Sequence, residues 1–460
     1  MTLAEIAQAT GGRVVAGAPD TGIDGFSIDS RSVDTGDLFI ALRGDRFDGH
    51  RFVEGAFAAG ACGALVSERD ALGVSPTGGI VVDDTLLALQ RLAGYVRRAS
   101  GTRVVAVTGS VGKTTTKELA AAVASARYRV FKTEGNLNNH IGLPLSLLEL
   151  RSRPEVAVVE LGMNHSGEIS RLVAIAQPEM RVWTNVAEVH AEFFASLDHI
   201  ADAKAEILEG ATTDTVAVVN AGDPRVMVRV SEFEGTLKTF GLGVDADVTA
   251  SAVEDHGFDG MRVRLDTPVG TAVVSTPLSG RGNLANLLAA VAVGVELEVS
   301  LDALAEQVQR VGPPPHRGQV HRLARGVIVV DDSYNASPLA METALAILSS
   351  DTRPGRRIAV VGEMLELGDR ALELHRGVGR AAAAAGLGLL VTVGGEMARA
   401  LGTAAAEAGL ATDVVFHCET SDDAAERVSR LIQDDDLVLV KGSRRVRTDV
   451  VVSRLVGEWT

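Results

Sequence analysis

The segment VAVTGSVGKTTTKELA, residues 105–120, combines an apolar β-run ending at Thr108, the turn Gly109-Ser110-Val111-Gly112, and Lys113-Thr114-Thr115 at the start of a helix. In such a turn, backbone amides and the helix N-terminus cradle phosphates, Lys113 reaches the terminal phosphates, and the Thr114 hydroxyl ligates Mg2+. The usual spacing also places a glycine at 107, where this chain has Val107, so the loop is a variant. A plain glycine-rich α/β turn is the competing reading. Strand, loop, Lys-Thr and helix coincide here, which favours a nucleotide such as ATP.

Further candidates follow the later strands. Glu160 ends VAVVEL, where a carboxylate either holds Mg2+, directly or through water, or is simply solvated. His190 comes shortly after VWTNV and reads equally as a metal ligand, a phosphate contact or a hydrogen-bonded structural histidine. Lys204, in HIADAKAEI, reads by itself as a solvated helix lysine with Asp202 or Glu206 nearby. Amide-rich TEGNLNNHIGLP at 133–144 is suited to touching substrate and phosphate together. Asn283 and Asn286 lie three apart on one helix face, as a base-contacting pair needs, although capping explains Asn283 equally well. DDSYNASP at 331–338 and VKGSRRVR at 440–447 each follow a strand, on the edge where open α/β sheets bind ligands. Arg317 stands in a hinge and reaches a phosphate only after domains close.

These residues need a large scaffold to hold them. The chain has 460 residues, a prior for three domains at about 150 each. With 46% hydrophobic and 23% charged residues and a mean hydropathy of +0.18, it is neither a disordered tail nor a small stapled domain. No apolar run approaches the roughly 20 residues of a membrane span, and no secretory signal opens the sequence, so a cytoplasmic protein is expected. Cys62 and Cys418 are too few for a disulfide framework or a thiolate metal site. A net charge of -16 argues against a nucleic-acid surface, but a few amides and basic residues can still bind a small anion.

Short apolar stretches at 38–42, 63–67 and 79–82 alternate with a helical pattern at 50–61. Val-rich runs from Arg103 onward feed helices, the pattern of a mostly parallel sheet covered on both faces. Residues 240–276 read as an antiparallel insertion before a helix at 283–293, and VGPPPHRG at 311–318 as the hinge. The expected fold class is α/β in three domains: a small N-terminal α/β domain (1–85), a central P-loop ATPase-type domain with a mostly parallel sheet (86–312), and a C-terminal Rossmann-like domain (313–460).

Taken in order, DSRSVDTGDLFIALRGDRFDGHRF, TGSVGKTTTK, TEGNLNNHIGLP, VVELGMNHSGEI, DAKAEI, DDSYNASP, VGEMLELG with His375, and VKGSRR resemble the Mur ligase family over nearly the whole chain. The resemblance implies that Ser30, Arg31, Asp48, Gly49 and His50 hold the UDP end of a muropeptide. It implies Lys113 and Thr114 on phosphates and Mg2+, Glu160 and His190 on metal, and Asn138 and Asn139 on the substrate side of the phosphates. Lys204 matches a lysine that the family often carries carbamylated, as an anionic Mg2+ ligand. Asn286 matches a position near adenine, Arg317 and Asp331 match hinge-region ATP contacts, and Tyr334, Asn335, Lys441, Ser443 and Arg444 match ATP- or dipeptide-side residues. The chain departs from the family pattern at Gly282, Ser337, Glu363 and Gly222, where His, Asn, Asp and Asp are usual.

The implied reaction phosphorylates the terminal carboxylate of UDP-N-acetylmuramoyl-tripeptide with ATP and transfers the acyl group to D-alanyl-D-alanine, by a monomeric cytoplasmic enzyme. The alternatives are a family member adding a single amino acid, a folylpolyglutamate-type ligase, a P-loop kinase or nucleotide switch, and a non-enzymatic scaffold. The DGHxF segment and VKGSR favour dipeptide addition.

Overall fold

The computed structural model describes every residue except 45, 46, 75, 189–191, 193, 195 and 460. Four sheets account for the strands. The first contains β1 (Arg13–Ala16), β2 (Gly25–Ser27), β3 (Asp37–Ile40), β4 (Gly63–Val66) and β5 (Gly79–Val81), in the order β1-β5-β4-β3-β2. Its strands run parallel apart from β1, which lies antiparallel on β5. The second contains β6 (Arg103–Thr108), β7 (Val130–Lys132), β8 (Val156–Glu160), β9 (Met180–Trp183), β10 (Val216–Asn220) and β11 (Thr236–Phe240), in the order β11-β10-β9-β6-β8-β7.

The insertion expected at 240–276 is a three-stranded antiparallel sheet of β12 (Thr249–Asp255), β13 (Met261–Thr267) and β14 (Gly270–Thr276). A fourth sheet contains β15 (Gln319–Arg322), β16 (Ile328–Asp332), β17 (Arg357–Gly362), β18 (Leu389–Val393), β19 (Val415–Cys418) and β20 (Leu437–Lys441), in the order β15-β16-β20-β17-β18-β19. All its pairs are parallel except β15 on β16. Strands β17, β18 and β20 are almost wholly buried, so they read as continuous apolar runs rather than alternating ones. Among the described residues, no helix is long and apolar enough to cross a membrane.

By compactness the chain divides into two units. One comprises Met1–Ala106, Tyr128–Met163 and Gly167–Glu179; the other comprises Val107–Arg127, Asn164–Ser166 and Met180–Thr460. The second unit holds the helices that matter most below: α1 (Lys113–Ser125), α2 (Leu197–Ala205), α3 (Gly280–Glu296), α4 (Pro338–Ser350) and α5 (Ala371–Ala384). Helix α3 begins three residues before the expected start at 283. Eleven of its seventeen residues are buried, consistent with its apolar composition all round.

Helices α1 and α3 lie side by side, with Gly294 of α3 against Val123 of α1. A Cβ built there would sit 2.4 Å from Val123 Cγ1. Overpacking costs about 1–3 kcal/mol, more than the roughly 1 kcal/mol that alanine gains over glycine in a helix. Gly294→Ala should therefore lower the thermal unfolding midpoint; an unchanged or raised midpoint would mean the two helices can separate freely.

Candidate active site

Strand β6 ends in a loop, residues 109–112, that its neighbours in the second unit fix from behind. Ser110 N–H donates to Asn185 O (3.0 Å), and Val111 N–H donates to Asn185 Oδ1 (2.9 Å). Val111 O accepts from Thr184 Oγ1 (2.8 Å) and Asn185 Nδ2 (3.0 Å), while Ala187 N–H donates to Ser110 Oγ (2.8 Å). This support explains both loop glycines. A Cβ on Gly109 would lie 1.9 Å from Thr184 Oγ1, and one on Gly112 would lie 2.1 Å from Asn286 Oδ1. Gly112, at φ 88°, also adopts a left-handed conformation that other residues rarely take.

Helix α1 starts directly after Gly112 and has no acidic residue in its first turn, so its helix dipole favours negative charge at that end. Lys113 Nζ lies over the loop, donating to Gly109 O (2.8 Å) and Ser110 O (3.2 Å). Thr114 and Thr115 follow it in the same turn, with Thr115 buried. Asn286 is buried and accepts from Thr116 Oγ1 (3.3 Å), so the residue matched to the base position also props the loop.

Lys204, in the last turn of α2, is 2% exposed. Burial, followed by the charge of Lys113, pushes its ammonium well below the usual lysine range, and no carboxylate among the described residues offsets this. It is therefore not the solvated helix lysine that its sequence neighbours suggest. His190 lies outside the described residues. No group of three or more His, Cys, Asp or Glu side chains suited to a metal occurs among the described residues.

At the C-terminal edge of the fourth sheet, buried Asp331 receives His316 Nδ1 (2.7 Å) and the Ser333 hydroxyl (2.5 Å). Gly318 N–H donates to Asp331 O, and Tyr334 N–H donates to His316 O, which fixes the segment after the prolines. The Arg317 guanidinium stacks 3.9 Å from the Tyr334 ring centroid. Lys441 Nζ donates to Asp332 Oδ2 (2.7 Å) and Asn335 O (3.0 Å). Ser443 Oγ accepts from Leu365 N–H (3.0 Å), whereas Arg444 is exposed and 3.7 Å from Asp449.

The first unit holds the other candidates. Glu160 is 3% exposed and accepts from Asn138 Nδ2 (2.8 Å). Asn139 Oδ1 instead caps the helix at Gly142–Leu147, accepting from Ile141 and Gly142 amides. In the first sheet's loops, Arg31 grips Asp29 and holds its carboxyl at about 2. Asp48 likewise sits at about 2 because His50 donates to it from Nδ1 and from its backbone amide. His50 Nε2 accepts from Ser67 N–H (2.9 Å), so both ring nitrogens are used inside the fold. Gly49 approaches the Leu42 backbone so closely that a Cβ would lie 2.7 Å from its carbonyl oxygen. Ser30 stands between Asp29 and Arg31, partly exposed.

Sequence reasoning missed Thr184 and Asn185, treating them only as the end of a strand. The available signal was their position, a polar pair leaving a buried strand at the sheet's ligand edge. It also gave His375 no role of its own. In the structure, His375 donates from Nδ1 to Ala371 O (2.7 Å) and accepts Met364 N–H at Nε2 (2.9 Å), thereby fixing the turn after β17.

Two predictions follow from this geometry. Gly112→Ala should reduce affinity for a non-hydrolysable ATP analogue at least tenfold by calorimetry; wild-type affinity would show that Asn286 can yield. Burial holds the His375 imidazole below its ordinary value. The unfolded chain therefore takes up this proton first, and stability should fall as pH drops below about 6.5. His375→Gln should flatten that part of the melting-temperature profile, and an unaltered slope would remove His375 as its cause.

Three family descriptions match the chain: "Mur ligase family, catalytic domain" over residues 22–97, "Mur ligase middle domain" over 107–294, and "Mur ligase, glutamate ligase domain" over 316–444. The chain is 37% identical to the UDP-N-acetylmuramoyl-tripeptide--D-alanyl-D-alanine ligase of Escherichia coli K12, covering 95% of this chain and 94% of that one. It is similar to the crystal structure of MurF from Acinetobacter baumannii, with a TM-score of 0.89 and 33% identity over 99% of both chains. MurF ligase from Thermotoga maritima, solved in complex with ADP, matches with a TM-score of 0.83 and 29% identity over 95% of this chain and 98% of that one.

Proposed function

This chain belongs to the Mur ligase family, and from that premise we propose that it is an ATP-dependent, ADP-forming ligase joining D-alanyl-D-alanine to UDP-N-acetylmuramoyl-tripeptide in peptidoglycan synthesis. The observation that carries this reading is likeness along 95% of the chain to a dipeptide-adding ligase, which a kinase or switch sharing only the P-loop leaves unexplained.

A carboxylate is a poor acyl donor, so activation comes first. The tripeptide carboxylate oxygen attacks the γ-phosphorus of ATP, the bond to the bridging oxygen breaks, and ADP leaves. The amine of D-alanyl-D-alanine then attacks the acyl carbon, phosphate departs, and the amine loses a proton. In this scheme Lys113 leaves the loop carbonyls to bind the transferring phosphoryl oxygens, and the first turn of α1 supplies fixed dipoles. Asn286, Arg317 and Asp331 are proposed to serve the nucleotide, and Tyr334, Asn335, Lys441, Ser443 and Arg444 the nucleotide or incoming dipeptide. Asn138 and Asn139 are assigned to the substrate side, with Ser30, Arg31, Asp48, Gly49 and His50 forming or shaping the place for the UDP end. Residues 1–85, 86–312 and 313–460 divide these tasks.

The resemblance assigns Thr114 and Glu160 to Mg2+; each supplies an oxygen of the kind that ion takes, a hydroxyl and a buried carboxylate, the latter held by Asn138. His190 is added from the resemblance. Lys204 suits a carbamate, because a buried lysine with depressed basicity presents a neutral amine whose lone pair can attack CO2, losing a proton to leave an anion. When bound, Mg2+ supplies neutralising charge to the phosphate oxygens. The enzyme is proposed to act in the cytoplasm as a monomer.

Purified protein with ATP and Mg2+ should release phosphate only when both UDP-N-acetylmuramoyl-tripeptide and D-alanyl-D-alanine are present; release without either acceptor would refute ligation. Lys113→Ala should lower turnover at least a hundredfold while leaving UDP-muropeptide binding intact. Lys204→Ala should lose most activity and recover part of it with a short carboxylate, whereas full activity without rescue would rule out the carbamate.

A further inference from the structure

Strands β12 and β13 are joined by a short turn, Gly257–Asp259, closed by His256 N–H donating to Gly260 O (3.0 Å). Both of the turn's large side chains are engaged with the layer built on the fourth sheet. Phe258 is 6% exposed and belongs to the apolar cluster of that layer, with Met341, Leu345 and Leu348 from α4. Asp259 accepts from Arg322, at the end of β15, and from Arg353 (2.9 Å), just beyond α4. Gly257, at φ 60°, comes so close to Asp351 that a Cβ would lie 2.8 Å from its Oδ2.

A second contact continues from the same helix. Ile347 of α4 abuts the start of α3, where a Cβ on Gly280 would fall 2.5 Å from Ile347 Cδ1. One turn further along α3, Asn283 donates to Ser279 O and accepts from Asn286 Nδ2 (3.3 Å). Asn286 then presents its Oδ1 to Gly112 and to Thr116. A continuous run of packed side chains and hydrogen bonds thus joins the turn at 257–259 and α4 to the back of the loop at 109–112. Close-packed groups pass displacement on rather than absorb it.

We propose that Phe258 and Asp259 are positioning residues that lock the C-terminal layer to α3, and that through Asn286 this lock sets how tightly the loop at 109–115 holds a nucleotide. The nucleotide part rests on the proposed ATP-binding role of that loop. Phe258 supplies the seat and the two arginines supply the orientation. Without them the layer loses its fixed relation to the start of α3, and Asn286 loses the constraint that holds it against Gly112.

The test compares Phe258→Ala, Asp259→Asn and the control Val428→Ala, which weakens the layer's core on its other face. Affinity for AMPPNP should fall at least fivefold in Phe258→Ala and two- to threefold in Asp259→Asn, with the Asp259→Asn difference shrinking in 0.5 M NaCl because wild type loses its ion pairs too. Val428→Ala should bind like wild type. Amide exchange at 112–118 and 283–288 should accelerate at least fivefold in Phe258→Ala relative to Val428→Ala, with the first sheet unchanged. Asp259→Asn leaves the apolar seat intact and decides the matter if Phe258→Ala does not fold. AMPPNP affinities within twofold of wild type, or exchange at α3 no faster than in the control, overturn the coupling. A wild type that binds no AMPPNP refutes the nucleotide reading of the loop, and exchange alone then decides whether the lock exists.

Discussion

Two glycines with no room for a side chain govern the second unit. Gly109 faces Thr184 and Gly112 faces Asn286 at distances that exclude even a methyl group. The rear of this loop is filled, and two of its amides, those of Ser110 and Val111, are satisfied there by Asn185. Here a polar pair leaving β9 and an amide from α3 fill it. The placement of α3 against α1, the burial of most of α3, and the start of α1 directly after a left-handed residue all serve that contact.

The acidic composition becomes easier to understand once the arginines are located. Arg43, Arg97, Arg229, Arg356 and Arg376 are all engaged by carboxylates. Such pairs, mostly at the surface, add little stability individually, but they remove the cations from general circulation. Near the candidate chemistry, Lys113 lies over its own loop carbonyls, Arg317 stacks on an aromatic ring, and Lys204 is buried with its basicity depressed. An anion is therefore met by a small, specific set of groups and not by a field.

Local patterns made much of this legible. The loop at 109–115 was readable because turn, lysine and helix start are contiguous. The Val-rich strands were readable because strands buried on both faces need no alternation. The three-stranded insertion showed through its alternating residues. Features that depend on distant partners were hidden. His50 finds Ser67 seventeen residues away, and Thr184 finds Val111 seventy-three away. Lys204 looked solvated because Asp202 and Glu206 are close in sequence, but its side chain is buried. The cap that Asn139 makes with its oxygen was hidden as well, although asparagine side chains commonly bond nearby amides.

The seating of Phe258 bears on how such a protein can be rearranged in evolution. The layer built on residues 319–441 completes its apolar interior with a side chain encoded some sixty residues upstream, beyond the proline hinge. A cut at the hinge looks clean on a sequence map yet leaves that interior with a hole and strands an aromatic residue on the other fragment. The transferable piece is therefore not the C-terminal segment alone but that segment together with the hairpin at 249–276, so exchange between relatives should favour crossovers placed before β12.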